Sequence, residues 1–238
     1  MTVEHLPADT VRDLGDRVAR ARRAASEQLP EQRDHADDSS YWQQVFEANA
    51  AALLATLPRV QLTPGYVVRY RFYGRRGNDF CIRPFVARAD TDVSSLMRVL
   101  DWHEPPDAGR GGESGSGRDV ELLYRHFTVE PSVAGAFEYW LAMQELWASQ
   151  RWIHSTVIVD AEHFAQITAG PDWTVERPVE RVEPAVIRDD DGSHIAVLVH
   201  SPIDRHLVTF HRVRITAQQA VVYAESITVA HGPRGYVT

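Results

Sequence analysis

A long run of alternating residues near the C-terminus constrains the fold more than any other stretch. Residues 206–229 read as two strands joined by a tight turn at residues 217–219. Successive side chains of a strand point to opposite faces, so the alternation predicts a long antiparallel hairpin with one apolar-rich face. The residues of that face are Leu207, Thr209, His211, Val213 and Ile215, followed by Val221, Tyr223, Glu225, Ile227 and Val229.

The register of this hairpin predicts a contact between a histidine and a carboxylate. With the turn centred on Gln218, the facing pairs are Ile215 with Val221, Val213 with Tyr223, and His211 with Glu225. Three interpretations of the last pair stay open. It is a satisfied polar pair in the core, an acid–base site in which Glu225 orients His211 and Tyr223 donates to an oxyanion, or a metal site completed by His200.

The strand before the hairpin has two possible orientations. Either His194 and His200 share the face of His211, or the aliphatic residues Ile195, Val197 and Val199 do. We favour the aliphatic alternative because it buries an unbroken apolar row. The metal interpretation requires the other orientation, so we expect no metal and no cofactor.

Two absences exclude whole classes of enzyme. All 25 Lys and Arg positions are arginine. A P-loop, a protein-kinase site and a pyridoxal-phosphate enzyme each need a lysine, so these classes are excluded. Cys81 stands alone, which excludes an intrachain disulfide and a cysteine-based zinc or iron–sulfur site.

The charge and the hydropathy of the chain bound its partners and location. The net charge of −8 disfavours nucleic acid, whose phosphates reward positive charge. No apolar stretch is long enough to span a bilayer, and the charged N-terminus does not resemble a signal peptide. We therefore expect a cytoplasmic protein that binds neither nucleic acid nor membrane.

Arginines are concentrated in an early hairpin over residues 66–88. Strands are predicted at 66–73 and 80–88, with Arg69, Arg71 and Arg83 among six arginines that face a single acid, Asp79. Guanidinium groups bind carboxylates and phosphates, so one interpretation is a subsite for an anionic small molecule. The alternatives are a solvated strand face, an acidic protein partner and single-stranded nucleic acid.

Helical spacing dominates the N-terminal part. Residues 8–29 carry a narrow apolar stripe that predicts a helix lying either on its own domain or against a second copy of the chain. Residues 41–57 carry a broad apolar face that begins at Trp42, which predicts a second, buried helix. A Gly-, Ser- and Pro-rich stretch at 104–119 predicts a flexible insertion loop.

The middle of the chain alternates strands and helices. Strands are predicted at 120–129 and 152–159, and a largely buried, aromatic helix at 131–150. Asp160 is predicted to cap a short helix over 161–168. A hairpin around residues 189–192 then leads into the C-terminal strands, so residues 173–230 form a four-stranded antiparallel meander.

These elements predict a single α+β domain over residues 1–238. It contains N-terminal helices, the Arg-rich hairpin, a middle αβα portion and the C-terminal meander, with helices on one sheet face and a pocket between the sheet and helix 131–150. The leading hypothesis is a small-molecule enzyme that uses His211, Glu225 and Tyr223, with Arg69, Arg71 and Arg83 attracting an anionic substrate. The alternative is a non-catalytic ligand-binding or protein-interaction domain. Homo-oligomerisation through helix 8–29 fits either.

Overall fold

The computed structural model describes residues 2–26, 42–46, 50–74, 80–92, 123–148, 155–189 and 192–235. The helices are α1 (Ala8–Ser26), α2 (Ala50–Ala55), α3 (Val133–Ala148) and α4 (Ala161–Thr168), with a 3-10 turn at Leu123–His126. The strands are β1 (Thr2–His5), β2 (Trp42–Phe46), β3 (Val60–Leu62), β4 (Tyr66–Gly74), β5 (Phe80–Arg88), β6 (Phe127–Val129), β7 (Thr156–Ile158), β8 (Thr174–Val175), β9 (Ala185–Asp189), β10 (Gly192–Ser201), β11 (Arg205–Thr216) and β12 (Val221–Arg234).

A curled antiparallel sheet forms the largest part of the fold. Its strand order is β1-β9-β10-β11-β12-β8, and β7 pairs with the C-terminal half of β10 beyond the end of β9. The meander predicted from sequence corresponds to β9 to β12, with β9 beginning at Ala185 and β12 extending to Arg234. Two smaller sheets, β2-β4-β5 and β3-β6, accompany it.

The strand orientation that buries the aliphatic row is confirmed. Ile195 lies opposite Val213, and Val197 lies opposite His211. Ile195, Val197 and Val199 join the main core together with residues of α1, α2 and α3. The alternation of β10 therefore divides the sheet into an apolar face under these helices and a second face that carries His194 and His200.

The second face of the sheet is also covered, contrary to the prediction that helices pack on one face only. Leu198 and Val208 point to this side and form a smaller core with Phe164 and Ile167 of α4. The correction has a simple cause. Leu198 and Val208 place apolar side chains on this face, and a sheet face that carries apolar side chains is stable when another element packs on it.

Helix α1 is confirmed, and its apolar stripe is buried within the chain. Val11, Leu14 and Val18 expose 2–3% of their surface and belong to the main core. The stripe therefore packs on its own domain, as the first of the two interpretations predicted. Association of two copies through this helix stays a prediction, and it would have to use a face of α1 other than the buried stripe.

The second predicted helix, over residues 41–57, is only half right. Residues Trp42–Phe46 form β2, which pairs antiparallel with β4, and Ala50–Ala55 form α2, while residues 47–49 lie outside the described residues. Aromatic and β-branched residues such as Trp42 and Val45 suit strands, and β4 offers them a row of hydrogen-bonding partners. Pairing with β4 therefore overrides the helical spacing over Trp42–Phe46, whereas Ala50–Ala55 keep the predicted helix.

The buried helix predicted at 131–150 is confirmed as α3. Phe137, Tyr139 and Trp140 expose at most 1% of their surface, and Glu138 between them exposes 2%. The carboxylate of Glu138 accepts hydrogen bonds from Arg59, one from the side chain at 2.5 Å and one from the backbone N–H at 2.9 Å. A charged group is tolerated inside this core because both of its oxygens are paired.

Shorter predictions fare unevenly. Asp160 is confirmed as the cap of α4, since its Oδ1 accepts the backbone N–H of His163 at 2.7 Å. Within the strand predicted at 120–129, Leu123–His126 form the 3-10 turn and Phe127–Val129 form β6, and residues 120–122 lie outside the described residues. The strand predicted at 152–159 is described as Thr156–Ile158. The insertion loop at 104–119 lies outside the described residues. Among the described helices, none combines the length and the apolar composition that crossing a bilayer requires.

Candidate functional site

The C-terminal hairpin follows the predicted register only as far as a β-bulge. Val213 faces Tyr223 as expected, but Arg212 faces Glu225 and His211 faces Ser226. The prediction that His211 lies opposite Glu225 is therefore wrong. One extra residue, Ala224, sits between the two regular stretches, and a bulge of this kind shifts every later pair by one position.

The two members of the expected dyad have other partners. Nδ1 of His211 lies 2.8 Å from the hydroxyl oxygen of Ser226, and Glu225 lies 3.5 Å from the guanidinium of Arg212 on the surface. The carboxylate is thus not positioned to orient the imidazole. An acid–base role of His211 and Glu225 stays a prediction without this contact.

Tyr223 is a predicted site residue that lies beside Trp140 and Gln144 of the aromatic helix. Its ring meets His211 edge-on at 5.2 Å between centroids, and 39% of its surface is exposed. Loss of hydration around the hydroxyl group beside Trp140 and Gln144 raises its pKa, although the exposed part of the ring limits this effect. Burial also lowers the pKa of His211. At neutral pH both groups are therefore neutral, with the phenol as a hydrogen-bond donor.

The Arg-rich hairpin is confirmed as β4 and β5, but Arg69 does not present its charge to solvent. Arg69 exposes 4% of its surface, and its guanidinium donates to the carbonyl oxygen of Thr91 at 2.8 Å. Arg71 and Arg83 face each other in the register, and their side chains lie outside the described part of the structure. An anion subsite at these three arginines stays a prediction.

The metal interpretation required His200 and His211 on the same face of the sheet, and they lie on opposite faces, with His200 facing Val208. Within the described ranges, no three His, Cys, Asp or Glu side chains converge as metal ligands would. His200 instead stacks on His206, with 5.2 Å between ring centroids and 3.0 Å between Nε2 of His200 and Nδ1 of His206.

Burial makes His200 hard to protonate. Its pKa falls to about 4, mainly because it is buried beside Trp173 and additionally because His206 and His163 are close. One ring nitrogen of the stacked pair must donate and the other accept. Protonation of both rings would bring two donors together, so the pair is stable only with one of them neutral.

We expect stability to fall on acidification because of His200. Its unfolded pKa is about 6.5 and its folded pKa about 4, so the unfolded state binds more protons between these values and the folded state loses stability as pH falls from about 6.5 to about 4. The loss should be about 1–2 kcal/mol, since a partly buried ring retains some solvent screening. Urea denaturation at pH 7.0 and 4.5 measures it, with His200→Gln as the control. Equal losses in the control and the wild type would contradict the assignment.

A cleft beside the middle of α1 is the feature of chemical interest on which the site is built. It has a volume of about 660 Å³ and lies between α1, α3, α4 and β7, next to β10. Its floor is apolar and consists of Val11, Val18, Phe137, Trp140, Leu141, Val157, Val159 and Val199. The sequence predicted a pocket between the sheet and the aromatic helix; the cleft has lining residues from both of these, and α1 and α4 contribute as well.

Charged side chains form the rim of the cleft, and most are paired. Arg22 donates to both oxygens of Glu145, with 2.7 Å between its Nε and the Oε2 of Glu145. Arg12 donates to Oδ2 of Asp160 at 2.8 Å and so ties α1 to the start of α4. These pairs hold the guanidinium groups in place across the opening.

His163 adds a titratable group to the rim. It lies in the first turn of α4, and burial lowers its pKa, with Arg12 acting in the same direction and Asp160 opposing both. The imidazole is therefore neutral at neutral pH. In that state it can accept a proton or a hydrogen bond from a bound molecule.

Gly15 leaves part of the cleft open. It lies in the middle of α1 and lines the cleft, and a Cβ atom placed on it would meet nothing within 4 Å. Glycine inside a helix costs about 1 kcal/mol relative to alanine. Gly15 therefore keeps this space open and makes α1 less stable than alanine at this position would.

Sequence reasoning missed the rim because its parts are distant in the chain. Arg12 and Asp160 are separated by 148 positions, and no local spacing links them. The isolated glycine in the pattern of α1 was the one available signal. Comparison with protein-family models, with curated proteins and with solved structures finds no match for this chain.

Proposed function

We propose that this protein binds a small organic molecule with an apolar body and a polar end in the cleft between α1, α3, α4 and β7. The observation that supports this most is the combination of a volume of about 660 Å³ with an apolar floor and a charged rim. Pockets for small ligands typically measure about 300–1,000 Å³ and combine these two kinds of surface.

The floor favours an apolar ligand body. Trp140 and Phe137 pack against each other, with 5.4 Å between ring centroids, and both belong to the main core. Their positions are fixed by the helix and by the sheet beneath it. A ligand that covers Val157 and Leu141 beside them gains about 25 cal/mol for each Å² of apolar surface removed from water.

The rim favours a polar ligand end at the mouth of the cleft. Arg12 and Arg22 are already held by carboxylates, so little side-chain order has to be created when a ligand binds. Gln144, Gln166 and Ser155 add neutral hydrogen-bonding groups. This arrangement corresponds to the non-catalytic ligand-binding alternative of the sequence analysis.

An acid–base enzyme acting on a small molecule is the second candidate. The observation that favours it is His163, a neutral imidazole on the rim of a cleft large enough for a substrate. In this version His163 takes the role of base that the sequence analysis assigned to His211. Arg69, described in the core of the early hairpin, is not among the described residues that line the cleft.

Filling the cleft tests the binding proposal. Gly15→Trp places a large side chain in open space, so the protein should fold while binding of 1-octanol, measured by isothermal titration calorimetry, weakens at least about tenfold. Gly15→Ala adds one methyl group and should bind as the wild type does. Gly15→Leu provides a second, smaller blocking variant, and circular dichroism verifies that each variant is folded.

Two outcomes contradict this proposal. In the first, the wild type shows no saturable binding of any eight-carbon probe, whether 1-octanol, octylammonium or octanoate. Alternatively, folded Gly15→Trp and Gly15→Leu bind 1-octanol as tightly as the wild type, which places the binding site elsewhere.

A further inference from the structure

We infer that the polar end of the ligand is a cation, such as a primary ammonium group. The inference rests on the proposed binding function of the cleft. It concerns the chemical class of the ligand, which the sequence analysis expected to be anionic.

The charges at the rim carry the inference. Among the described residues that line the cleft, the guanidinium groups are those of Arg12 and Arg22, and the carboxylates are those of Asp16, Glu145, Asp160 and Glu162. With His163 neutral, the lining has a formal excess of two negative charges. A cavity with low-dielectric walls concentrates such a potential and attracts ions of opposite sign.

Both arginines at the rim are already neutralised. The guanidinium of Arg22 is held in a two-point pair by Glu145, and both groups are largely shielded from solvent. The guanidinium of Arg12 is shared between Asp9 and Asp160. An anionic ligand at Arg22 would have to compete with Glu145 and would leave that largely buried carboxylate unpaired. At Arg12, which is half exposed, it would have to compete with two carboxylates.

The excess negative charge lies on Asp16 and Glu162. Both are exposed, so their carboxylates remain hydrated when the cleft is empty. The side-chain contact of Glu162 is with the neutral amide of Gln166 at 3.2 Å, which leaves its charge uncompensated. They belong to α1 and α4 respectively, so they carry negative charge on two of the elements that form the cleft.

The apolar floor determines the shape that such a cation must have. A bare metal ion has no use for Val11, Val157 and Leu141, and the described chain offers no cluster of metal ligands. An organic cation satisfies both parts, because its apolar body covers the floor while its charged group remains near the rim. The ligand class is therefore an alkyl- or arylamine rather than an acid or a phosphate ester.

A matched series of eight-carbon probes tests the inference. By calorimetry in low salt, octylammonium should bind about fivefold tighter than octanoate, with 1-octanol between them. The double variant Asp16→Asn with Glu162→Gln should lose this preference without losing 1-octanol binding. Glu183→Gln removes one exposed carboxylate that does not line the cleft, so it should retain the preference.

The outcomes separate this inference from the binding proposal. If 1-octanol binds and Gly15→Trp blocks it, but octanoate binds as tightly as octylammonium, the cleft is the site and the cation inference is wrong. A preference that survives in the double variant also overturns it. If none of the three probes binds the wild type, the binding proposal itself fails.

Discussion

Replacing Arg59 by methionine should destabilise the protein by about 3–5 kcal/mol, more than any exposed ion pair could account for. The carboxylate of Glu138 exposes 2% of its surface and has the Arg59 guanidinium as its charged partner at 2.5 Å. Without that partner, a buried charge is left with one backbone N–H donor. The free energy of unfolding by urea measures the loss.

Replacing the other partner of this pair, Glu138, should lower the free energy of unfolding by less. In Glu138→Gln the buried group is neutral, and the freed Arg59 is 38% exposed and lies 3.6 Å from Glu130, so it keeps solvent and a second partner. We expect a loss of about 1–2 kcal/mol. An equal or larger loss in Glu138→Gln than in Arg59→Met would contradict this account. Arg88→Met, which removes the exposed pair with Asp90, should leave the denaturation midpoint unchanged.

The same substitution should have opposite effects in two helices. Gly135→Ala should destabilise by about 2 kcal/mol or more, because the added methyl carbon would lie 2.2 Å from the backbone oxygen of Glu130. Gly15→Ala should stabilise by about 1 kcal/mol, because its methyl group enters open space and alanine favours the helix.

Thermal denaturation of both glycine variants measures this difference. The contact in Gly135→Ala is with backbone rather than with a flexible side chain, so the first turn of α3 has to shift. That turn also uses the hydroxyl of Ser132, which accepts the N–H of Gly135 at 3.0 Å. Melting temperatures that move in the same direction for both variants would contradict the difference in space around Gly135 and Gly15.

Alternation predicted the strands of the C-terminal sheet but not every pair of residues within them. The pairing of Ile215 with Val221 followed from the turn, because the registers of a turn and its first pairs are coupled. Ala224 carries no signal that marks it as the extra residue of a bulge. The predicted pairing of His211 with Glu225 was wrong because both residues lie beyond this bulge, where the turn no longer sets the register.

Helices were predictable where burial and helical period agreed. The aromatic residues of α3 repeat with helical spacing and are buried, so the predicted and observed helices coincide. In β2 the same kind of residue occurs in a segment too short to distinguish the two periods, and pairing with β4 decides the outcome. Short segments depend on neighbours that a single sequence does not identify.

The candidate site was the least predictable part. Its rim joins Arg12 to Asp160, and its floor joins Trp140 to Val199, so each contact depends on the packing of separate elements. Local sequence patterns predict individual helices and strands but not how these elements pack against each other. The cap formed by Asp160 was predictable because it is a contact over three residues, whereas its ion pair with Arg12 was not.

Chemical-shift mapping tests the central claim most directly. Backbone amide spectra of ¹⁵N-labelled protein, recorded during titration with octylammonium, report which part of the chain meets the probe. The account predicts saturable shifts centred on Gly15, Val157 and His163, with the amides around Arg69 unaffected. Shifts centred on the β4–β5 hairpin or on His211, with the cleft amides unchanged, would contradict it.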